Sequence, residues 1–418
     1  MKKINKDSTF YKKHILLVSH VFYPESFRIN DLSIRLIDMG YDVTVLTGNP
    51  NYPKGTFYKG YQWRLKFKKD LYQGVQVIRM PIFARGSNKI SLIINYFSIL
   101  FWGHFFVLFT KKKFDLVITY GLSPIFQTSI GLHYSKKFHV PSWLYLMDFW
   151  PDSIEAVDGL KNKGLIRLIG KFSYKIYRQC DKILISSMGY MDDLIRVGVH
   201  KDKIFYWPQY HEDFYQPLMR NQTLTPEILQ GGQFNIVFTG NLGFGQGIHD
   251  FIDYVKSEKI KLEEFNIKFY LIGDGRARVE ILQLIEKFDI SNLITWIPAK
   301  AAELIPQYLA NADAALLLIK NHPAMTKVLP AKVASYVGCG KAIFCISDGP
   351  LANFIDEHQL GYASHSFNHA IITQSLKKFI HKVRLDKTEY TQSKDFLSPK
   401  NLMHQLETDL LKPLWRKT

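Results

Sequence analysis

The chain has 418 residues, 47% hydrophobic and 22% charged, a composition that supports two or three packed domains and excludes disorder over most of the length. Lysine and arginine number 54 against 37 aspartates and glutamates, a formal net charge of +17, which calls for an anionic partner such as nucleic acid, anionic lipid or a sugar diphosphate. Three cysteines, Cys180, Cys339 and Cys345, are too few for a disulfide framework and lack paired metal-ligand spacing, so a reducing, cytoplasmic compartment is expected.

The first apolar run, Ile15 to Phe22, ends in Tyr23-Pro24-Glu25 rather than a small-residue cleavage site, so no signal peptide is expected. From His14 the chain reads strand (HILLVSHVF), helix (Asp31 to Met39), strand (YDVTVLTG), a βαβ unit that requires a parallel sheet. VQVIRMPI, FDLVITYG, SWLYLMD and KILISS continue the strand pattern. Residues 1–206 are therefore expected to form one doubly wound domain. Residues 207–233 read as a linker, with Gly231-Gly232 near its end. A second α/β pattern over 234–389 carries the strands FNIVFTG, IKFYLIGDG, LITWIP, AALLLI and AIFCIS. The expected fold is α/β, two Rossmann-like doubly wound parallel-sheet domains facing a central cleft.

Ile90 to Phe109 is uncharged and is followed by Lys111-Lys112-Lys113. A spanning helix would put strands of one sheet on opposite sides of a bilayer. The preferred reading is a helix of the first domain whose aromatic side and neighbouring lysines rest on an anionic membrane face, with a wholly buried core helix as the alternative.

The turn after FTG reads Gly240-Asn241-Leu242-Gly243-Phe244-Gly245-Gln246-Gly247. It lets backbone amides and a helix N-terminus approach a phosphate, although such turns also serve tight packing alone. In HPAMTKVLPAKVASYVGCGKAIF, Pro330 suits a first helical turn, placing Lys327 and Lys332 near the positive end of a helix. The alternative is that they are solvated surface lysines. In the first domain Glu25, Arg28 and Asn30 follow the first strand, while Asn49, Asn51 and Tyr52 follow the second, on the same sheet edge. Asp148 ends a further strand and either orients a sugar hydroxyl or caps a helix. There is no HExxH, Walker loop, GxSxG or DxD pattern, so no metal is expected at the site. Nucleic acid is not expected as a partner, because no recognition motif accompanies the charge.

Together YPESFRIND, GNPNYPKG, LSPIF, MDFWPDS, WPQYHEDFYQP, TGNLGFGQG, GDG and LPAKVASYVGCGKA resemble the retaining GT-B glycosyltransferases of family four, in particular the bacterial capsule and exopolysaccharide type. The resemblance implies a nucleotide-sugar donor, most readily a UDP-sugar, in the second domain and an acceptor in the first. It also implies a C-terminal helix, here within 390–418, that returns to the first domain. Carried over residue by residue, it implies donor contacts from Gly240, Asn241, Gly243, Gln246, Gly273, Lys327, Pro330, Lys332 and Ser335. Acceptor contacts would come from Glu25, Asn30, Asn49, Asn51 and Tyr52, and catalytic roles from Asp148, Lys332 and Arg28. Two departures stand out. Lys327 and Ser335 replace the family's glutamate pair, and Asn241 and Gln246 replace its diphosphate-binding cations, so Lys332, joined by Lys327 and Arg28, is expected to supply the charge from neighbouring loops. The implied activity is metal-independent, cofactor-free transfer to a lipid-linked saccharide at the inner face of the plasma membrane. The alternative is a degenerate subunit that holds an acceptor or stabilises a partner glycosyltransferase.

Overall fold

A computed structural model of the protein describes residues 12–63, 65–86, 88–154, 162–229, 231–385 and 395–416. These divide into two compact units. One comprises the residues up to Trp150 together with Arg167–Ile185 and Leu194–Phe205; the other comprises the described part of Pro151–Ile166, Ser186–Asp193 and the chain from Tyr206 onward.

The first unit is built on an eight-stranded sheet of order β3-β4-β2-β1-β5-β6-β7-β8. Its strands are β1 (His14–Val18), β2 (Asp42–Gly48), β3 (Lys68–Tyr72), β4 (Val75–Met80), β5 (Leu116–Gly121), β6 (Ser142–Leu146), β7 (Lys182–Ile185) and β8 (Ile204–Tyr206). β3 pairs antiparallel with β4, and the registers linking β4, β2, β1, β5, β6 and β7 are parallel. β5 and β6 are buried at every position, as apolar, β-branched runs covered on both faces must be. β1 ends at Val18, four residues before the apolar run does, because the chain leaves the sheet where the strand order reverses; Ser19 Oγ then donates to the Val21 carbonyl at 2.7 Å.

Three helices pack on the central strands of this sheet: α1 (Arg28–Asp38), α2 (Lys89–Phe109) and α3 (Thr128–Phe138). α1 buries Ile29, Leu32 and Leu36, one stripe at helical spacing. α2 is long and apolar enough to cross a bilayer, yet it connects β4 to β5 within one sheet. Asn88 caps its start by accepting from the Ser91 amide, and Gly103 lets α3 close in, since a Cβ there would fall 2.2 Å from Ile130. At its other end Lys137 of α3 donates to the carbonyls of Val107 and Leu108 at 2.8 Å, satisfying groups the helix leaves unpaired. α4 (Lys163–Gln179) and α5 (Met191–Arg196) follow.

The second unit holds a six-stranded, wholly parallel sheet of order β11-β10-β9-β12-β13-β14. It comprises β9 (Phe234–Thr239), β10 (Ile267–Ile272), β11 (Ile294–Ile297), β12 (Ala314–Leu318), β13 (Ile343–Ile346) and β14 (Gly361–Ala363). The order reverses between β9 and β12, the place where ligands of such sheets collect. Around it lie α6 (Ile248–Ser257), α7 (Lys259–Glu264), α8 (Arg278–Lys287), α9 (Ile305–Asn311), α10 (Lys332–Gly338), α11 (Gly349–Glu357) and α12 (His369–Leu385). Phe238, Ile252, Phe269, Leu316 and Phe379 are among the buried side chains of its core.

Within 390–418, where a helix returning to the first domain is expected, the described part, with α13 (Pro399–Gln405), a π-helical turn (Leu406–Leu411) and α14 (Lys412–Trp415), groups with the second unit. There the Trp207 indole, fully buried in the segment expected as linker, donates to the Leu402 carbonyl at 2.8 Å. Residues 390–394 of the expected helix lie outside the described residues.

Candidate functional site

The carboxyl edge of the second sheet is assembled from glycines at van der Waals contact. A Cβ on Gly273 would lie 1.8 Å from the Gly240 carbonyl oxygen, and one on Gly247 would lie 2.4 Å from that of Ile319. Both residues have positive φ, +156° and +67°, so other side chains are excluded on two counts. The Leu242 amide donates to the Asp274 carbonyl at 2.9 Å and the Ala277 amide to Leu242 at 3.0 Å, zipping the turn after β9 to the turn after β10. The Asn241 side chain lies between the Gly243 and Gly275 backbones, because a Cβ on either would fall within 2.7 Å of its amide. α6 starts directly after Gly247 with no side-chain cap, leaving its first amides and the positive end of its dipole turned toward this edge.

Lys332 reaches the same place. Its Nζ donates to Gln246 Oε1 at 2.7 Å, lies 3.9 Å from the centroid of the Phe238 ring and stands beside Gly240. Burial pulls its pKa from the usual lysine value down to about 7, with no carboxylate counter-charge among the described residues. A half-buried, desolvated ammonium held by a neutral amide and a ring face is costly, and an arriving anion would relieve that cost. Tyr336, one helical turn further along α10, fixes the approach: its hydroxyl accepts from the Thr239 amide at 2.9 Å, tying α10 to the end of β9. The sequence reading missed Tyr336, although its place four residues after Lys332 puts both on one helix face.

The other residues of this motif behave differently. α10 begins at Lys332 with Ala331 as its cap, so Pro330 precedes the helix instead of occupying its first turn. Lys327 donates to Asp193 Oδ2 at 2.7 Å, a carboxylate only 3% exposed, and its carbonyl accepts from the Ser187 hydroxyl. A Cβ on Gly189 would fall 2.5 Å from that carbonyl. Lys327 thus fastens the 186–193 segment. Ser335 is buried on α10 and engaged within the chain. Gly240, Asn241, Gly243, Gln246, Gly273 and Lys332 are therefore the predicted donor residues that the structure brings together.

In the first unit the polar residues predicted for the sheet edge are largely bound to one another. Glu25 is 2% exposed; its Oε1 accepts from the amides of Asn51 and Tyr52 at 2.8 and 2.7 Å, and its Oε2 from Phe22 at 3.1 Å. Burial pushes its pKa up against the pull of those amides. Asn30 accepts from the Tyr23 amide and donates to the Glu25 carbonyl at 2.7 Å. Asn51 donates to the Asn49 carbonyl and accepts from the Arg85 amide, and the buried Asn49 donates weakly to Gln62 at 3.4 Å. The Tyr52 ring lies tilted beside Phe27 and under the Arg85 guanidinium. Arg28 opens α1, half-buried and engaged within the chain.

Asp148 follows β6 and is drawn into its own unit. Its Oδ2 accepts from the Ser123 amide and hydroxyl at 3.1 and 2.9 Å, while burial raises its pKa. The hydroxyl of Ser123 in turn accepts from the Trp150 indole at 2.8 Å, so the carboxylate anchors the turn after β5 instead of capping the helix that follows. Arg79 escaped the sequence reading. It is 2% exposed within β4, pairs with Asp70 at 2.6 Å and donates to the Tyr23 carbonyl at 2.6 Å. A lone arginine inside VQVIRMPI was the available signal.

Residues 222–393 match the family described as Glycosyl transferases group 1. No curated protein matches the chain. Among solved structures, sucrose-phosphate synthase from Thermosynechococcus elongatus aligns over 97% of this chain and 100% of its own at 12% identity, with a TM-score of 0.75. A glycosyltransferase from Rickettsia africae aligns over 98% and 100% at 14% identity, TM-score 0.67. HepE from Anabaena, solved in complex with UDP and glucose, aligns over 95% and 98% at 13% identity, TM-score 0.66. Residues 222–393 are thus similar to the glycosyl transferases of group 1, and the chain that carries them has the GT-B fold, two parallel-sheet α/β domains.

Proposed function

We propose that the protein is a glycosyltransferase that takes a sugar from a nucleotide diphosphate, a UDP-sugar by preference. The observation that carries this reading is Lys332, a half-buried, desolvated ammonium with no carboxylate partner among the described residues, placed against Gly240 and Gln246 where the second sheet reverses its strand order. The family match over 222–393 and the UDP complex of the structurally similar HepE support it. A diphosphate at this edge would accept from Lys332 and from the first amides of α6, charge-assisted bonds about twice as strong as neutral ones.

The reading extends to mechanism and setting. Transfer is retaining and metal-independent: the bond to the leaving phosphate loosens as the acceptor hydroxyl attacks from the same face. Lys332 stabilises the charge that builds on the diphosphate, a role in which one preorganised donor contributes about 3–4 kcal/mol. No resident cofactor is required, since the nucleotide sugar is itself a substrate. The acceptor is a membrane-linked saccharide of cell-surface polysaccharide synthesis, met at the inner face of the plasma membrane.

Calorimetric titration with UDP and UDP-sugars, followed by assay of UDP release in the presence of lipid-linked saccharide, tests the reading. Saturable UDP affinity and acceptor-dependent release are expected. Absence of any affinity for UDP would overturn it in favour of a subunit that holds an acceptor or stabilises a partner transferase.

A further inference from the structure

α2 buries only one side. Ile90, Ile94, Phe97, Phe101, Phe105 and Leu108 form a single stripe, each between 37% and 71% exposed, while Ile99, Gly103 and Val107 face the interior. A stripe of this kind along a helix about 30 Å long is a large unpartnered apolar face. α3 lies against α2 through Gly103 and Ile130, and through His104, whose Nδ1 meets that of His133 at 3.0 Å. α3 and α4 in turn enclose an open hollow of about 310 Å³, lined by Ser129, His133, Lys136, Lys175 and Gln179. α4 also exposes Leu168 and Phe172. The charge is one-sided. Helices α2 and α3 and the Arg167–Gln179 part of α4 contain seven lysines and arginines and no aspartate or glutamate.

We propose that the outer side of this three-helix layer docks on a bilayer rich in anionic phospholipid. The α2 stripe lies among the acyl chains just beneath the headgroups, and the hollow between α3 and α4 receives a lipid phosphate on Lys136 and Lys175. A second copy of the chain fits poorly, because it would press two cationic faces together, whereas an anionic lipid surface satisfies the apolar stripe and the surrounding charge at once. The lysines concerned differ from the expected Lys111-Lys112-Lys113 cluster. Lys112 is turned inward, donating to Gln76 Oε1 at 2.6 Å and Thr44 Oγ1 at 3.0 Å. The proposal rests on the preceding reading only for the membrane-linked acceptor; docking itself requires no donor.

Flotation of the full chain with phosphatidylcholine vesicles, with and without about one third phosphatidylglycerol, tests it. The wild type is expected to float with the anionic vesicles and to stay behind with the neutral ones. Joint replacement Lys136→Glu and Lys175→Glu should weaken binding about tenfold or more, and joint replacement Phe97→Gln and Phe101→Gln should do the same, with UDP affinity by calorimetry unchanged in both. Should the phenylalanine pair fail to fold, the surface lysine pair decides alone. Equal binding to both vesicle types, or binding indifferent to the lysine pair, would overturn the proposal. So would a concentration-dependent dimer abolished by the phenylalanine pair without flotation, or inorganic phosphate shifting the His133 resonances in a chain that does not float. Flotation without UDP affinity would remove the glycosyltransferase reading and leave the docking surface standing.

Discussion

The carboxyl edges of the two sheets are made of opposite materials. In the first unit the polar side chains Glu25, Asn30, Asn51 and Asp148 spend their hydrogen-bonding capacity on neighbouring loops. In the second unit the edge is nearly bare backbone, packed glycine on carbonyl, and the half-buried cation there, Lys332, meets a neutral amide and an aromatic ring and no carboxylate among the described residues. Buried polar groups that satisfy one another hold a scaffold rigid. A buried charge left uncompensated marks a place where a ligand supplies what the fold withholds.

The contrast can be broken most severely at the glycines. Gly273→Ala places a methyl group within bonding distance of the Gly240 carbonyl at a φ of +156°. It is expected to cost about 3–4 kcal/mol in chemical denaturation and to remove UDP affinity with it. A loss under about 1 kcal/mol would show that the two turns are not locked together.

Lys332→Met should lower kcat/KM for the UDP-sugar about a hundredfold, close to 2.7 kcal/mol. The same change should raise the melting temperature, because the desolvated ammonium is gone. Burial has lowered the folded-state pKa to about 7 against the ordinary lysine value, so the unfolded chain binds the extra proton between those pH values. The penalty this group imposes on stability is full below pH 7 and fades as pH rises through that window. Catalysis carries the opposite sign, since the cation is the active form. In the free enzyme kcat/KM should fall as pH rises above about 7, and Lys332→Arg should shift that limb out of the accessible range.

On the first sheet the expected losses are structural. Glu25→Gln turns an amide group toward backbone donors and should destabilise by about 2 kcal/mol with little change in UDP affinity. Lys327→Met, which leaves the buried Asp193 carboxylate without its ammonium partner, should cost about 2 kcal/mol and leave the UDP dissociation constant within about twofold. A tenfold loss at Lys327 would return it to the donor site.

The sequence made the strands and their parallel pairing legible because fully buried β-branched runs have few other homes. β3, β8 and β14 went unread. β3 is an exposed polar edge, KKDLY, and the other two are three residues long. At the site, the Gly240 to Gly247 turn and Lys332 were readable from residue type and spacing alone. The fate of Lys327 was not. Its partner Asp193 lies 134 residues earlier in the chain, and no local pattern distinguishes a lysine that finds a carboxylate from one that finds none. Glu25 and Asp148 illustrate the same difficulty, since their backbone acceptor role depends on loops that meet only in the folded sheet.

The most direct test is calorimetric titration of UDP into the wild type and Lys332→Met at matched pH near neutrality. The wild type should bind measurably, and the variant should lose at least tenfold in affinity while remaining as thermally stable or more so. Equal affinity in the two proteins would show that the diphosphate is held elsewhere and that the uncompensated ammonium at the second sheet's edge is not where the donor binds.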